Sequence, residues 1–91
     1  MTLKAGSVVY VMAGRDKHRF CAVVRLEPNE AFIADGRARK LEKPKRKNLL
    51  HLRPTKTVLE DAQMRTDKQL RLALGSFNGQ PGPATGNERE G

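Results

Sequence analysis

The chain has 91 residues, and its 18 Lys and Arg against 10 Asp and Glu give a formal net charge of +8 at pH 7. This length allows one small domain. So large a positive charge favours a polyanionic partner, nucleic acid before an anionic membrane surface. No apolar run approaches the roughly 20 residues that span a bilayer, and the N-terminus lacks the pattern of a signal peptide. We therefore expect a basic cytoplasmic protein with no membrane segment.

Two apolar, β-branched runs within residues 4–24 predict a strand, a charged loop and a second strand. Residues 8–12 alternate between two faces of the first strand, and both faces are apolar. Such a strand suits a small closed barrel with another element packed over its outside. The second strand, at residues 20–26, repeats the pattern. The loop between the strands, residues 13–19, is called the first basic segment below.

A third strand at residues 31–34 is followed by Asp35-Gly36, the dipeptide preferred in two-residue hairpin turns. The sequence therefore predicts that the chain reverses there into a fourth strand at residues 37–41, whose charge suggests a solvated edge. Pro44 favours a loop or an extended arm for the residues that follow. The second basic segment, residues 37–47, contains seven Lys or Arg and one Glu.

The remaining apolar residues predict one more strand and then helices. Leu49, Leu50 and Leu52 are typical of a last short strand. After Pro54 the apolar spacing becomes helical, and the pairs Thr57 with Glu60 and Thr66 with Gln69 fit capping boxes. We expect either two short helices, at residues 58–64 and 67–74, or one fused helix, with Gly75 as the stop.

The predicted second helix has an apolar stripe that suits the cover of a barrel face, although such a stripe also fits a docking helix for a partner. Its members are Leu70, Ala73, Leu74 and Phe77. The last residues of the chain lack large apolar side chains, so we expect residues 77–91 to form a disordered tail. The predicted divisions are a barrel at residues 1–53, a helical extension at 54–76 and this tail.

Side chains suited to catalysis or metal binding are few. Cys21 is the only cysteine, which excludes an internal disulfide and a zinc site made of several thiolates. Its apolar neighbours predict a buried side chain. His18 and His51 have no clustered Cys, Asp or Glu partner, and the glycine patterns of a P-loop or a nucleophile elbow are missing. We expect no enzyme activity, no metal and no cofactor.

The strand-loop-strand of residues 4–24 resembles a KOW motif, the signature of ribosomal and transcription-factor proteins that bind RNA. The matching parts are Gly6, the Val-rich strand, the hydrophobic return and the loop Ala13-Gly14-Arg15-Asp16-Lys17. Over residues 4–52, about half the chain, the sequence is similar to small bacterial KOW-domain RNA-binding proteins, which are similar to KOW-type large-subunit ribosomal proteins of archaea and eukaryotes. The further matching parts are Ala34-Asp35-Gly36 and Arg39-Lys40-Leu41-Glu42-Lys43-Pro44-Lys45. His18 stands where such loops usually have a second glycine.

This resemblance implies a mainly β protein: a small SH3-like (KOW) barrel of about five strands, followed by one or two short helices. It also implies binding to RNA, most simply ribosomal RNA, in a structural or auxiliary role in translation. Cations of both basic segments are the expected phosphate contacts, whereas Asp16 is expected to fix the loop by accepting hydrogen bonds. The expected RNA-binding residues are Arg15, Lys17, His18, Arg19, Arg37, Arg39, Lys40, Lys43, Lys45, Arg46 and Lys47. The motif glycines are Gly6, Gly14 and Gly36.

The few aromatic residues, Tyr10, Phe20, Phe32 and Phe77, are expected to belong to the core, so recognition of RNA shape and backbone is favoured over base stacking. Expected partners are RNA and ribosomal proteins, and the free chain is expected to be a monomer. A different interpretation is a KOW-type module that contacts proteins of the transcription or translation machinery. A third, weaker one is a binder of duplex DNA.

Overall fold

Five strands form one antiparallel sheet in a computed structural model of the chain, which describes residues 3–78. The strands lie in the order β4-β3-β2-β1-β5, so β4 and β5 are the two edges. The prediction of a mainly β fold with about five strands is confirmed. The strands are β1 (Ser7–Val11), β2 (Phe20–Leu26), β3 (Glu30–Ala34), β4 (Lys45–Asn48) and β5 (Leu52–Val58). The short helices are 3-10 turns at Leu49–His51 and Asp61–Met64 and one α-helix, α1 (Asp67–Leu74).

Apolar side chains lie on both faces of the sheet, as the β1 pattern predicts. One face carries a cluster that includes Val9, Val23 and Ile33, which are fully buried. On the other face, Val8 and Ala22 pack against α1. Because two-sided burial removes apolar surface from water on both sides, it stabilises a sheet that is short in every strand.

Helix α1 covers one of these faces through the predicted stripe. Leu70 and Leu74 are buried, and Ala73 and Phe77 pack against the same cluster. The helix begins as predicted, because the Thr66 hydroxyl accepts a hydrogen bond of 3.1 Å from the amide of Gln69. The stripe therefore serves as the cover of the sheet.

The predicted fourth strand at residues 37–41 is wrong, and the edge strand is instead β4. The Asp35 carboxylate accepts hydrogen bonds from the amides of Arg37 and Arg39, at 2.8 and 2.9 Å. Such local side-chain bonds compete with a strand ladder, and they hold the chain in an irregular loop that ends at Pro44. The charged run after Pro44, predicted as a loop or arm, then pairs with β3, where its lysines and arginine remain at an edge.

The predicted last strand at Leu49, Leu50 and Leu52 is also wrong, since Leu49–His51 is a 3-10 turn. The Asn48 side chain accepts a hydrogen bond of 2.8 Å from the amide of Leu50 and caps this turn. Strand β5 begins only at Leu52 and continues through Pro54, which an edge strand tolerates.

The first predicted helix, at residues 58–64, is shorter than expected. Strand β5 extends to Val58, across the predicted boundary between barrel and helical extension, and only Asp61–Met64 is helical. The cap of this turn uses Glu60, whose amide donates to the side chain of Gln63 at 2.9 Å, instead of the pair with Thr57.

The predicted tail falls almost entirely outside the described residues. Its first two members are an exception, because Phe77 stacks on Phe20 with ring centroids 5.3 Å apart. The Asn78 side chain also bonds to both the amide and the carbonyl of Phe20, at 2.7 and 2.8 Å. The ordered part of the chain therefore extends at least to residue 78.

Truncation of the helix stripe tests this packing. We expect Leu70→Ala to lower the free energy of unfolding by about 2–5 kcal/mol, because it leaves a cavity under α1. Leu72→Ala is the matched control: Leu72 is on the same helix but 64% exposed, and its truncation should cost about 0.5 kcal/mol or less. Urea unfolding followed by circular dichroism measures both, and equal effects would contradict the packing of α1.

Candidate nucleic-acid interface

The two basic segments are in direct contact. Two buried carboxylates, Asp16 and Asp35, bind cations across the boundary between the segments. We call this arrangement the carboxylate clamp. It brings residues 13–19 and 37–47 together at one end of the sheet, since the first segment joins β1 to β2 and the second follows β3.

Asp16 forms the first half of the clamp. Its carboxylate is 5% exposed and accepts hydrogen bonds from Nε of Arg39, at 3.1 and 3.2 Å to its two oxygens. Lys47 approaches the same carboxylate at 4.0 Å and donates to the carbonyl of Ala13 at 3.0 Å. The hydrogen bonding that Arg39 donates to the Asp16 carboxylate raises the pKa of Arg39 above its ordinary value. The sequence prediction that Asp16 fixes the loop is thereby confirmed.

Asp35 forms the second half. One of its oxygens accepts from the backbone amides of Arg37 and Arg39, and the other accepts from the Arg19 guanidinium at 3.1 Å. Its carboxylate is thus a link between the start of β2 and the irregular loop. The sequence pattern placed Asp35 only in a hairpin turn. The bonds from the amides of Arg37 and Arg39 are local, whereas the bond from Arg19 spans 16 positions, and no local pattern indicated it.

Three of the expected phosphate-binding cations are engaged within the clamp. Lys47 is 9% exposed, and Arg39 and Arg19 are partly buried. A largely buried guanidinium or ammonium that neutralises a buried carboxylate is not free to neutralise a phosphate as well. Lys47 and Arg39 therefore position the surface, while Arg19 keeps 39% of its side chain exposed.

The remaining expected cations lie on the exposed surface around the clamp. Arg46 is exposed and approaches Glu30 at 3.6 Å, a loose surface pair. His18 is exposed as well. Within residues 3–78, the exposed cations of the two segments without an ion pair are Arg15, Lys17, Arg37, Lys40, Lys43 and Lys45.

Two motif glycines have a positive φ, for different structural reasons. Gly36 has a φ of +79°, and a Cβ there would collide with the carbonyl oxygen of Asp67 at the start of α1, so a side chain would push the loop away from the helix. Gly14 has a φ of +88°, which itself favours glycine; a Cβ there would meet Nζ of Lys47, the flexible end of a side chain. Gly6 also has a positive φ.

His18, which replaces the usual second loop glycine, adopts the backbone conformation that a glycine would favour. Its φ is +71°, which is the left-handed region. The amide of His18 donates to the carbonyl of Val11 at 2.7 Å, which holds this part of the loop against the end of β1. The imidazole Nδ1 also lies 2.8 Å from the Tyr10 hydroxyl.

The aromatic side chains are less buried than predicted. Tyr10, Phe20 and Phe77 form a row of tilted ring contacts at the margin of the α1 face. Phe32 is half-buried, and the Arg25 guanidinium lies 4.3 Å from its ring centroid. The core of the described residues is built from aliphatic side chains instead.

Cys21 is buried, as predicted. Burial, together with the smaller effect of the neighbouring carboxylates of Asp35 and Asp16, raises the pKa of its thiol to about 12. The thiol is therefore protonated at neutral pH, and a protonated thiol is a poor nucleophile.

Within residues 3–78, no group of three or more His, Cys, Asp or Glu side chains lies close enough to hold a metal ion. In the same part of the chain, no helix has the length and apolar character needed to cross a membrane.

A scan against protein-family models finds no match for the chain, and a search of curated proteins finds no significant match either. The KOW resemblance of residues 4–52 therefore rests on the motif residues of the sequence alone.

Substitutions at His18 test the left-handed loop conformation. We expect His18→Val to destabilise the protein by about 1–3 kcal/mol, because a β-branched residue is strained at positive φ. The free energy of unfolding of His18→Gly should stay within about 1 kcal/mol of that of the wild type. Relief of backbone strain stabilises this variant, whereas loss of the bond to Tyr10 and the greater conformational entropy of glycine in the unfolded chain destabilise it. Lys17→Val is the control at an exposed neighbour with ordinary φ. Thermal unfolding compares the three, and equal stability of the Val and Gly variants would contradict the geometry.

Proposed function

We propose that this chain binds folded RNA, in the manner implied by the KOW resemblance, through the exposed cations of its two basic segments. The expected partner is ribosomal RNA, with ribosomal proteins as neighbours, and the role is structural or auxiliary in translation in the cytoplasm. An SH3-like closure of the sheet and a monomeric free chain are parts of the same proposal.

The carboxylate clamp is the observation that carries this proposal. A phosphate backbone presents charges at regular intervals, and cations held in one rigid arrangement match such a ligand better than cations on mobile arms. Asp16 and Asp35 are nearly covered by their own cations, so they add little repulsion at the surface. The net result is a surface dominated by Arg15, Lys17 and the exposed lysines of the second basic segment.

Recognition of RNA backbone and shape is favoured over reading of bases. The row formed by Tyr10, Phe20 and Phe77 is occupied by mutual stacking, and Arg25 lies over the ring of Phe32. Base-specific readers of single strands use open aromatic platforms, so a weak sequence preference is expected here.

A KOW-type protein-interaction module is the second candidate. The observation that favours it is the half-buried Phe32, which shares an apolar groove with Val24, Leu41 and Pro44. Aromatic residues in grooves are frequent anchors of protein partners. The groove is partly formed by the second basic segment, through Leu41 and Pro44, so a test must separate loss of RNA binding from loss of a protein contact.

Salt dependence and charge reversal provide that test. If about six phosphates are neutralised, affinity for an RNA hairpin should fall by roughly 10³ between 50 and 200 mM salt in a filter-binding titration. We expect the double variant Lys43→Glu with Lys45→Glu to bind at least about tenfold more weakly and to lower the salt slope by about 2. Lys47 is left unchanged because it is buried in the clamp.

The matched control is the double variant Lys4→Glu with Lys56→Glu. It changes the net charge equally, but Lys56 is on β5, at the other edge of the sheet from β4. Equal losses of RNA affinity in both double variants would indicate that RNA is attracted by the net charge of the protein and not by the surface around the clamp. Unchanged RNA binding in the Lys43 and Lys45 variant would favour the protein-interaction candidate, and preference for duplex DNA over RNA of equal length would contradict the proposal.

A further inference from the structure

An arginine-lined cleft lies between the end of α1, the start of β2 and the loop after β3, with a volume of about 290 Å³. We propose that this cleft holds one phosphate group of the bound RNA, an inference that rests on the proposed function and adds Arg71 to the residues that perform it. The cleft is lined by Arg19, Asp35, Arg37, Arg71, Leu74, Gly75 and Asn78.

The charges of the lining residues favour an anion. Arg19, Arg37 and Arg71 supply positive charges, and Asp35 is the one carboxylate among the lining residues. The oxygens of Asp35 already accept two backbone amides and the Arg19 guanidinium. The cleft therefore keeps an excess of positive charge, and guanidinium groups suit the geometry of phosphate oxygens.

Arg19 has a donor that lacks an acceptor. Its Nε is buried and has no hydrogen-bond partner within residues 3–78. A buried donor without a partner is costly, particularly on a charged group. A phosphate oxygen in the cleft that Arg19 lines would supply an acceptor of the strongest kind, and the bond would be charge-assisted at both ends.

Arg71 is held in place by the same loop that carries the second basic segment. Its guanidinium donates to the carbonyl of Gly36 at 3.2 Å, which leaves its other N–H groups for a ligand. Gly36 permits this approach because it has no Cβ, and the backbone of α1 lies where a Cβ would be. Helix α1 thereby contributes a cation to the RNA surface in addition to covering the sheet.

The end of α1 does not oppose an anion strongly. A helix C-terminus presents partial negative charge on its free carbonyls, but here the carbonyl of Leu72 accepts from Gly75 and that of Leu74 accepts from Phe77 and Asn78. These bonds occupy two of the carbonyls at the end of α1.

The experiment uses the full chain and an RNA hairpin. We expect Arg71→Gln and Arg37→Gln each to weaken binding by about tenfold or more and to reduce the salt slope by about 1. Arg65→Gln, an exposed arginine before α1, is the control with the same charge change and should have a smaller effect. Because Arg71 also donates a hydrogen bond to Gly36, thermal unfolding is used to check that Arg71→Gln is still folded. If Arg71→Gln proves unstable, Arg37→Gln still tests the cleft, because the Arg37 side chain is exposed.

A direct reading comes from the NMR signal of the Arg19 Nε–H group. We expect it to shift when the RNA hairpin is added to the wild type, and to shift much less in Arg71→Gln. The inference is overturned, while the proposed function stands, if RNA binds with the expected salt slope but both variants match the control and the Arg19 signal is unmoved.

Two other outcomes also decide the question. Inorganic phosphate at a matched phosphate concentration could shift the Arg19 signal while the variants keep full RNA affinity; the cleft would then take a free phosphate, and the assignment to RNA would be wrong. If the wild type binds no RNA at any salt concentration, the proposed function fails, and this inference fails with it.

Discussion

Two buried carboxylates determine how the two basic segments of this small protein are arranged. Asp16 and Asp35 have to be neutralised and hydrogen-bonded because an isolated buried charge is very unfavourable, and their partners come from both basic segments. Such pairs add little net stability compared with an apolar core, but removal of one partner is costly. Their main effect is therefore to specify one arrangement of a chain whose repulsive cations would otherwise keep the segments apart.

This constraint divides the cations into two groups with different roles. Arg39 and Lys47 form ion pairs with Asp16 inside the clamp. Arg15, Lys17 and the exposed lysines of the second basic segment remain exposed to solvent. Helix α1 adds to the same end of the molecule through Arg71, because Gly36 lets its backbone approach the loop. The positive surface is thus assembled from three separate parts of the chain.

The sequence predicted the elements whose pattern is local. Strand β2 and helix α1 have the expected bounds, because alternating apolar residues and the Thr66 cap suffice to define them. The predicted strands within residues 37–52 were wrong, because the side chains of Asp35 and Asn48 accept hydrogen bonds from backbone amides there in place of strand pairing. The meeting of the two basic segments could not be derived from local patterns, since the ion pairs that hold them together span distant positions. The role of Lys47 could not be predicted, because burial of one lysine among many depends on register in β4.

The most direct test of the account is an NMR titration of the isotope-labelled full chain with an RNA hairpin at low salt. The account predicts that backbone amide signals of both basic segments, residues 13–19 and 37–47, shift together with one common dissociation constant, while those of β5 move little. Shifts confined to one segment, different dissociation constants for the two, or shifts concentrated on β5 would contradict the claim that the carboxylate clamp builds a single RNA-binding surface.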